Sequence, residues 1–186
     1  MADQGSEGLL SPFLRRRRLR AALPYIRRMV LDVGCGSGAL ADWVPADRYL
    51  GVDIDEESLV SARAHHPEHR FQSSLPPPEP AFDTVVSLAV IEHVPDPAAF
   101  LIDLAARLRS SSESRIVCTT PHPAVDWVHT AGASIGLFSR HANQEHEQLL
   151  DAARLAALAK GCSLQVSVYR RFLFGANQLA VFQPAL

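Results

Sequence analysis

Short runs of apolar residues alternate along the chain with longer segments whose apolar positions recur at helical spacing. The first run is Val30, Leu31 and Val33, which surround a single acid. It predicts a buried strand, and six more strands are predicted at residues 48–54, 70–73, 82–88, 115–120, 163–169 and 178–182. Helices are predicted at residues 11–29, 39–44, 55–64, 97–108 and 144–160. This order predicts an α/β fold with a doubly wound, mostly parallel sheet of seven strands whose closing pair is antiparallel.

The chain has 186 residues, which fits one domain with a substantial core. We expect a basic N-terminal helix within residues 1–28, followed by a ligand-binding domain at 29–186 with an insertion at about 121–143. The three cysteines are scattered, no apolar run approaches a membrane span, and the first residues lack the apolar core of a signal peptide. These features predict a cytoplasmic protein.

The segment VLDVGCGSG at residues 30–38 places a glycine-rich turn after the first strand. Glycines permit positive φ and let a ligand approach the backbone closely. A short helix after such a turn would direct its amides and dipole at an anionic group, so the segment predicts a nucleotide-cofactor site. Gly34, Gly36 and Ala39 also satisfy the loose dinucleotide pattern. Asp32, two residues before the first glycine, favours a ligand that carries an ammonium group.

This segment resembles motif I of the class I S-adenosylmethionine (SAM) methyltransferases. A second segment, LPPPEPAFDTVVSLAVIEHVPDP at residues 75–97, is similar to the corresponding motif of the ubiquinone- and menaquinone-type methyltransferase family. The resemblance implies a Rossmann-like domain, SAM as cofactor, and methyl transfer to an oxygen, nitrogen or carbon atom of a small-molecule acceptor.

Asp53 ends the second predicted strand, 19 residues after Gly34, where a carboxylate can accept both ribose hydroxyls. By resemblance, Asp32 would meet the ammonium of SAM and Ile54 the adenine. The family often has an acid after the third strand, where this chain has Ser73 and Ser74. The predicted cofactor-binding residues are Asp32, Gly34, Cys35, Gly36, Gly38, Asp53, Ile54, Ser73, Ser74, Leu88 and His93.

His93 follows the fourth strand and is the first candidate for a general base, since imidazole titrates near neutral pH. The competing interpretation, slightly favoured, is that Glu92 and His93 fasten the turn by hydrogen bonds. His122 is the second catalytic candidate, and His129 and His141 are further acceptor-side candidates. The histidines at residues 65–69 lack the spacing of a metal site, so no metal is predicted.

Two other functions stay open at this stage. A non-catalytic SAM-binding accessory protein would keep the cofactor fold without turnover. An NAD(P)-dependent oxidoreductase is disfavoured because the chain has no Tyr-x-x-x-Lys pair and Lys160 is its sole lysine.

Nucleic acid is a disfavoured partner, since the net charge is -2 and the N-terminal arginines form a local cluster. The arginines at residues 15–28 are interpreted as a solvated helix flank, or as the source of one contact to the cofactor carboxylate or to an anionic substrate. The oligomeric state is left open.

Overall fold

The computed structural model describes residues 11–123 and 150–185. Seven strands form a single sheet with helices packed around it. The strands are β1 Val30–Val33, β2 Tyr49–Val52, β3 Arg70–Gln72, β4 Thr84–Leu88, β5 Arg115–Pro121, β6 Leu164–Phe172 and β7 Asn177–Pro184. The α-helices are α1 Ser11–Ala22, α2 Glu56–His65, α3 Pro97–Ala105 and α4 Ala152–Gly161. Short 3₁₀ helices span Leu23–Tyr25, Ala46–Arg48 and Ile91–His93.

The strand order is β3-β2-β1-β4-β5-β7-β6. Strands β1 to β5 are parallel, while β7 runs antiparallel to both β5 and β6. The predicted doubly wound, mostly parallel sheet is therefore confirmed. β1 lies between β2 and β4, so the direction of winding reverses there, and this is where open α/β sheets bind ligands.

Apolar residues cover both faces of the sheet, because successive strand residues point to opposite sides. On one face, Leu31 of β1 belongs to a buried cluster with Leu104 of α3 and Leu155 of α4. On the other face, the neighbouring Val30 packs in a cluster with Leu19 of α1. The helices thus fix the sheet from both sides and leave its edges to loops.

Two predicted helices differ from the structure. The helix predicted at 11–29 ends at Ala22, because Pro24 lacks an amide hydrogen and the chain continues as a 3₁₀ turn. The helix predicted at 39–44 is wrong. That segment forms successive turns, with Ala41 N donating to Gly38 O at 2.9 Å. Six residues before Pro45 provide too few backbone bonds to nucleate a helix, so the helix-dipole contribution expected there is also wrong.

The other boundaries lie close to the predicted ones. Asp55 caps α2 by accepting from Ser58 N at 3.1 Å, and Asp96 caps α3 by accepting from Ala98 N at 2.9 Å. Residues 144–149 of the helix predicted at 144–160 lie outside the described residues. In the described part this helix begins at Ala152. The predicted insertion also falls outside the described residues from position 124 onward, together with His129 and His141. No described helix is long and apolar enough to cross a membrane.

Candidate cofactor site

The glycine turn after β1 is clamped to the end of β2. Gly34 N and Cys35 N both donate to Val52 O, at 2.8 and 3.1 Å. Gly34 has φ +75°, and a Cβ added there would lie 2.4 Å from Cγ2 of Val90, which follows β4. Gly34 is therefore required for close packing of the turn against the neighbouring loop.

Gly36 differs from Gly34 because its exposed side faces open space. It has φ +51°, and a Cβ added there would meet no atom within 4 Å. A positive φ disfavours any residue with a side chain, although no protein neighbour excludes one. The free space directly above the backbone fits a bound group that approaches the turn closely.

Asp53 connects the end of β2 to the glycine turn. Its Oδ2 accepts a hydrogen bond from Gly36 N at 2.7 Å, and its Oδ1 accepts one from Asp55 N at 3.0 Å. The sequence predicts a carboxylate that accepts both ribose hydroxyls, and in the structure both oxygens already accept hydrogen bonds from backbone amides. Each oxygen has a further lone pair, so the carboxylate can still accept hydroxyl donors. The next residue, Ile54, is 93% exposed, so its side chain is available to an incoming ligand.

Asp32 lies in β1 beneath the turn and is buried. The hydroxyl of Tyr49, at the start of β2, donates to its Oδ2 at 2.8 Å. Burial raises the pKa of Asp32 to about 7, the Tyr49 hydrogen bond opposes this shift, and the negative charge of Asp53 adds to it. A buried carboxyl beside a second acid is a costly arrangement that a cationic ligand would relieve. Sequence reasoning missed Tyr49, although register pairs it with Val30, two residues before Asp32.

Two further side chains of the turn have clear roles. Cys35 is buried, and burial together with the charges of Asp32 and Asp53 raises the pKa of its thiol. It is therefore a poor nucleophile and serves as packing. The hydroxyl of Ser37 accepts a hydrogen bond from Arg15 Nη1 of α1 at 3.2 Å. Of the basic residues in α1, Arg15 is thus one that reaches the turn.

The loop after β4 brings a buried acid and an exposed histidine next to the turn. Glu92 is buried, and its Oε2 has no hydrogen-bond partner within the described residues. Burial raises the pKa of Glu92, while a backbone hydrogen bond and the positive charge of Arg18 oppose the rise. The His93 ring is exposed, and its backbone N–H closes the turn by donating to Val90 O at 2.9 Å. The side chain that faces the interior is therefore Glu92, whereas the His93 ring is open to an acceptor.

The predicted residues at β3 and β5 lie at the same sheet edge, beyond the central strands. Ser73 and Ser74 directly follow β3 and are exposed, and Ser74 O accepts from the Gln72 side-chain amide at 2.5 Å. His122 directly follows β5, and its N–H donates to Ala176 O at 3.0 Å. Partial loss of hydration, aided by the positive charge of Arg171, lowers the pKa of His122. The lowered pKa favours the neutral ring, which is the form that a base requires.

The histidines after α2 support the turn segment rather than forming a metal cluster. His69 Nε2 hydrogen-bonds Val44 O at 2.9 Å, and His66 Nε2 lies 3.9 Å from Asp42 Oδ1. Both contacts fasten the segment after the glycines to the α2–β3 connection. Within residues 11–123 and 150–185, no group of three or more His, Cys, Asp or Glu side chains could hold a metal ion.

The structure therefore brings one group of predicted residues together at the carboxyl ends of β1, β2 and β4. A buried carboxyl, a backbone turn open on one side and a second carboxylate line this edge, with Leu88 of β4 beside them. Such a set can hold a ligand with an ammonium group at one end and hydroxyl groups at the other.

Solved structures with this fold include several methyltransferases. A SAM-dependent methyltransferase from Mesorhizobium loti superposes with a TM-score of 0.70 at 19% identity, covering 91% of this chain and 97% of that one. Magnesium protoporphyrin IX methyltransferase from Synechocystis, solved with bound SAH, gives a TM-score of 0.69 at 16% identity and covers 98% of this chain and 90% of that one. At these identities, the likeness shows the fold alone.

Sequence relatives point the same way. A probable SAM-dependent methyltransferase of Mycolicibacterium smegmatis is 32% identical over 145 residues, which are 75% of this chain and 52% of the relative. A ubiquinone biosynthesis O-methyltransferase of Xanthomonas euvesicatoria is 30% identical over 149 residues, 74% of this chain and 62% of the relative. The chain thus spans about half to three-fifths of the length of these relatives.

The sequence model of the methyltransferase domain family matches residues 9–167, most of the chain. This match includes both motifs on which the resemblance rests, and it decides against the oxidoreductase interpretation. The chain belongs to the methyltransferase domain family, within the class I SAM-dependent methyltransferases that it resembles.

Proposed function

We propose that this chain binds SAM at the edge formed by β1, β2 and β4 and transfers its methyl group to a small-molecule acceptor. The observation that carries the proposal is the open glycine turn between two carboxylates. The position of a Cβ on Gly36 is free of protein atoms, Asp32 lies buried below it, and Asp53 holds its amide. A ligand bound there meets acids where SAM carries its ammonium and ribose hydroxyls.

The residues divide between the two ends of the cofactor. Asp32, Gly34 and Gly36 hold the methionine end, with Leu88 against the cofactor. Asp53 accepts the ribose hydroxyls and the exposed Ile54 covers the adenine. In place of an acid after β3, the adenine amine meets the backbone near Ser73 and Ser74. Cys35 and Gly38 keep the turn compact by their small size.

SAM supplies an electrophilic methyl group with a good leaving group, so the chain mainly aligns the acceptor and excludes water. An acceptor that must lose a proton needs a base as well. His93 is the proposed base because its exposed ring follows β4 at the cofactor edge. His122 is the second candidate, because it directly follows β5 and its lowered pKa favours the neutral ring that a base requires.

The choice of acceptor class rests on chemistry and on the relatives. Ubiquinone biosynthesis O-methyltransferases recur among them, which supports an oxygen atom of a small molecule as the acceptor. One relative is named a tRNA U34 carboxymethyltransferase, so tRNA is included as a competing acceptor.

The three cysteines are free, which supports the reducing, cytoplasmic setting expected from their spacing.

The proposal is tested by titrating the purified chain with SAM, SAH and NAD in a calorimeter. We expect SAM and SAH to bind and NAD to give no signal. Transfer of a radiolabelled methyl group is then measured with phenols, amines and bulk tRNA as acceptors. Asp53→Asn keeps the size of the side chain but removes its charge, so this variant should bind SAM more weakly than the parent chain.

Four outcomes separate the candidate functions. Labelled phenol or amine supports the proposal, and labelled tRNA replaces its acceptor class. SAM binding without turnover on the whole panel favours the non-catalytic accessory protein. That second candidate is supported by the serines that replace the adenine-binding acid. Absence of SAM binding would refute both.

A further inference from the structure

We propose that Tyr49 is a positioning residue of the cofactor site, whose buried hydroxyl orients the Asp32 carboxylate to receive the ammonium group of SAM. The inference rests on the proposed function, because Asp32 is assigned to that ammonium there. It extends the site to a residue on the neighbouring strand that the cofactor does not touch.

The first support is the packing of Tyr49. The residue is fully buried at the start of β2, and its hydroxyl donates to Asp32 Oδ2 at 2.8 Å. Its ring makes edge contacts with His69 and Phe71, with centroids 5.4 and 5.6 Å away. These contacts hold the ring in one orientation, so the hydroxyl is preorganised toward the carboxylate. A buried tyrosine hydroxyl requires such a partner, which makes the pair mutually dependent.

The second support is the balance of charges around Asp32. Burial and the negative charge of Asp53 disfavour its ionised form, and Tyr49 is the neighbour that favours it. Cys35 in the turn faces the same carboxylate, and its thiol is kept neutral by a raised pKa. The positive charge of Arg63 in α2 partly opposes the rise in the pKa of Cys35. The His69 ring packs against the edge of the Tyr49 ring. The tyrosine hydroxyl therefore favours the ionised carboxylate that a cationic ligand requires, against burial and the charge of Asp53.

This arrangement sets the pH range of cofactor binding. Only the ionised carboxylate pairs with an ammonium, so apparent affinity falls in proportion to the ionised fraction of Asp32. With its pKa raised to about 7, that fraction falls below one half under neutral pH and drops about tenfold for each further pH unit. Without the Tyr49 hydroxyl the pKa rises, so the same loss begins at higher pH.

The experiment compares the chain with Tyr49→Phe and Asp32→Asn by calorimetric titration with SAH from pH 5.5 to 8.5. Phenylalanine keeps the ring and its packing while removing the donor. We expect the acid limb of the affinity profile to have its midpoint near pH 7 in the parent and about one pH unit higher in Tyr49→Phe. Affinity in that variant should be about tenfold weaker at pH 6.5 and recover toward pH 8.5. Asp32→Asn should bind weakly with no acid limb.

Tyr169→Phe is the matched control, because it removes another tyrosine hydroxyl that donates, at 2.9 Å, to Gln178 Oε1. Its acid limb should coincide with that of the parent. Fluorotyrosine substitution tests the same pair without deleting an atom, in a chain with only three tyrosines. A more acidic hydroxyl is a stronger donor, so the acid limb should move to lower pH even if Tyr49→Phe fails to fold.

The outcomes distinguish this inference from the proposed function. An unchanged midpoint in folded Tyr49→Phe, or in the fluorinated protein, would overturn the role of Tyr49 and leave SAM binding intact. Parental affinity and pH profile in Asp32→Asn would show instead that Asp32 does not hold the ammonium, which removes the basis for both assignments. A parent chain that binds neither SAM nor SAH would refute the proposed function and this inference together.

Discussion

Substitution of Gly36 by valine should abolish cofactor binding while leaving the protein folded. Gly36 has φ +51°, and no atom lies within 4 Å of the position that a Cβ would take. The new side chain therefore meets no protein atom at its first carbon, and its cost to folding is conformational. If the free space is the path of the cofactor, the same side chain blocks it.

The cost to folding can be estimated from the backbone conformation. A residue with a Cβ pays about 1–2 kcal/mol in the left-handed region, and a β-branched residue pays somewhat more. For a domain of this size each kcal/mol lowers the melting temperature by about 2–4 °C. Gly36→Ala should thus melt about 2–8 °C below the parent, and Gly36→Val somewhat lower. Both changes leave most of the roughly 5–15 kcal/mol of a typical domain.

Two other glycines serve as matched controls. Gly34→Ala would place its Cβ 2.4 Å from Val90 Cγ2, so it should destabilise the fold more than Gly36→Ala. Gly161 ends α4, has open space and needs no positive φ, so Gly161→Ala should leave both melting and binding near parental values. Calorimetry with SAM and thermal melting measure the two effects separately. A folded Gly36→Val variant with parental SAM affinity would refute the assignment of the glycine turn to the cofactor.

The remaining predictions concern three other positions. Asp53→Ala should weaken SAM binding at least tenfold, because charge-assisted hydrogen bonds of about 1.5–3 kcal/mol are lost, and unchanged affinity in calorimetry would place the ribose elsewhere. If His93 is the base, His93→Asn should lower turnover roughly 10²–10⁴-fold with SAM affinity retained; near-parental turnover would move the role to His122. Gln178 is buried and accepts a hydrogen bond from the Tyr169 hydroxyl. Gln178→Leu should therefore lower the free energy of unfolding, measured by urea denaturation, by about 1–3 kcal/mol. A loss below about 0.5 kcal/mol would contradict the structural role of this amide.

The existence of the strands and both capping residues could be predicted because they depend on local chemistry. Asp55 and Asp96 each accept from amides two or three residues ahead, a contact that a sequence window contains. The strands around Asp32 are bounded by glycines and polar residues, so their existence is also readable from a short segment. Only their ends shifted, by a few residues.

The features that the sequence did not reveal depend on contacts between distant segments. Tyr49 meets Asp32 across two strands, and Arg15 meets Ser37 across the gap between a helix and a turn. Neither pair has a periodic signal, since each depends on strand register and helix docking. The helix expected at 39–44 failed for the opposite reason. Its composition favours a helix, but it is too short for helical bonds to prevail over turns held by their surroundings.

The contact between α1 and β7 has a consequence for how the chain is made. Arg18 donates at 2.8 Å to Asn177, 159 positions later, and Ala21 and Ala22 share an apolar cluster with Leu179 and Val181. During synthesis at about 5–20 residues per second, α1 would wait roughly 10–30 s for this strand to appear. Until then Ala21 and Ala22 lack the part of their apolar cluster that β7 supplies, whereas Leu19 of α1 can already pack against Val30. Because α1 also supplies Arg15 to the glycine turn, ligand-binding competence should arise only after β7 has left the ribosome.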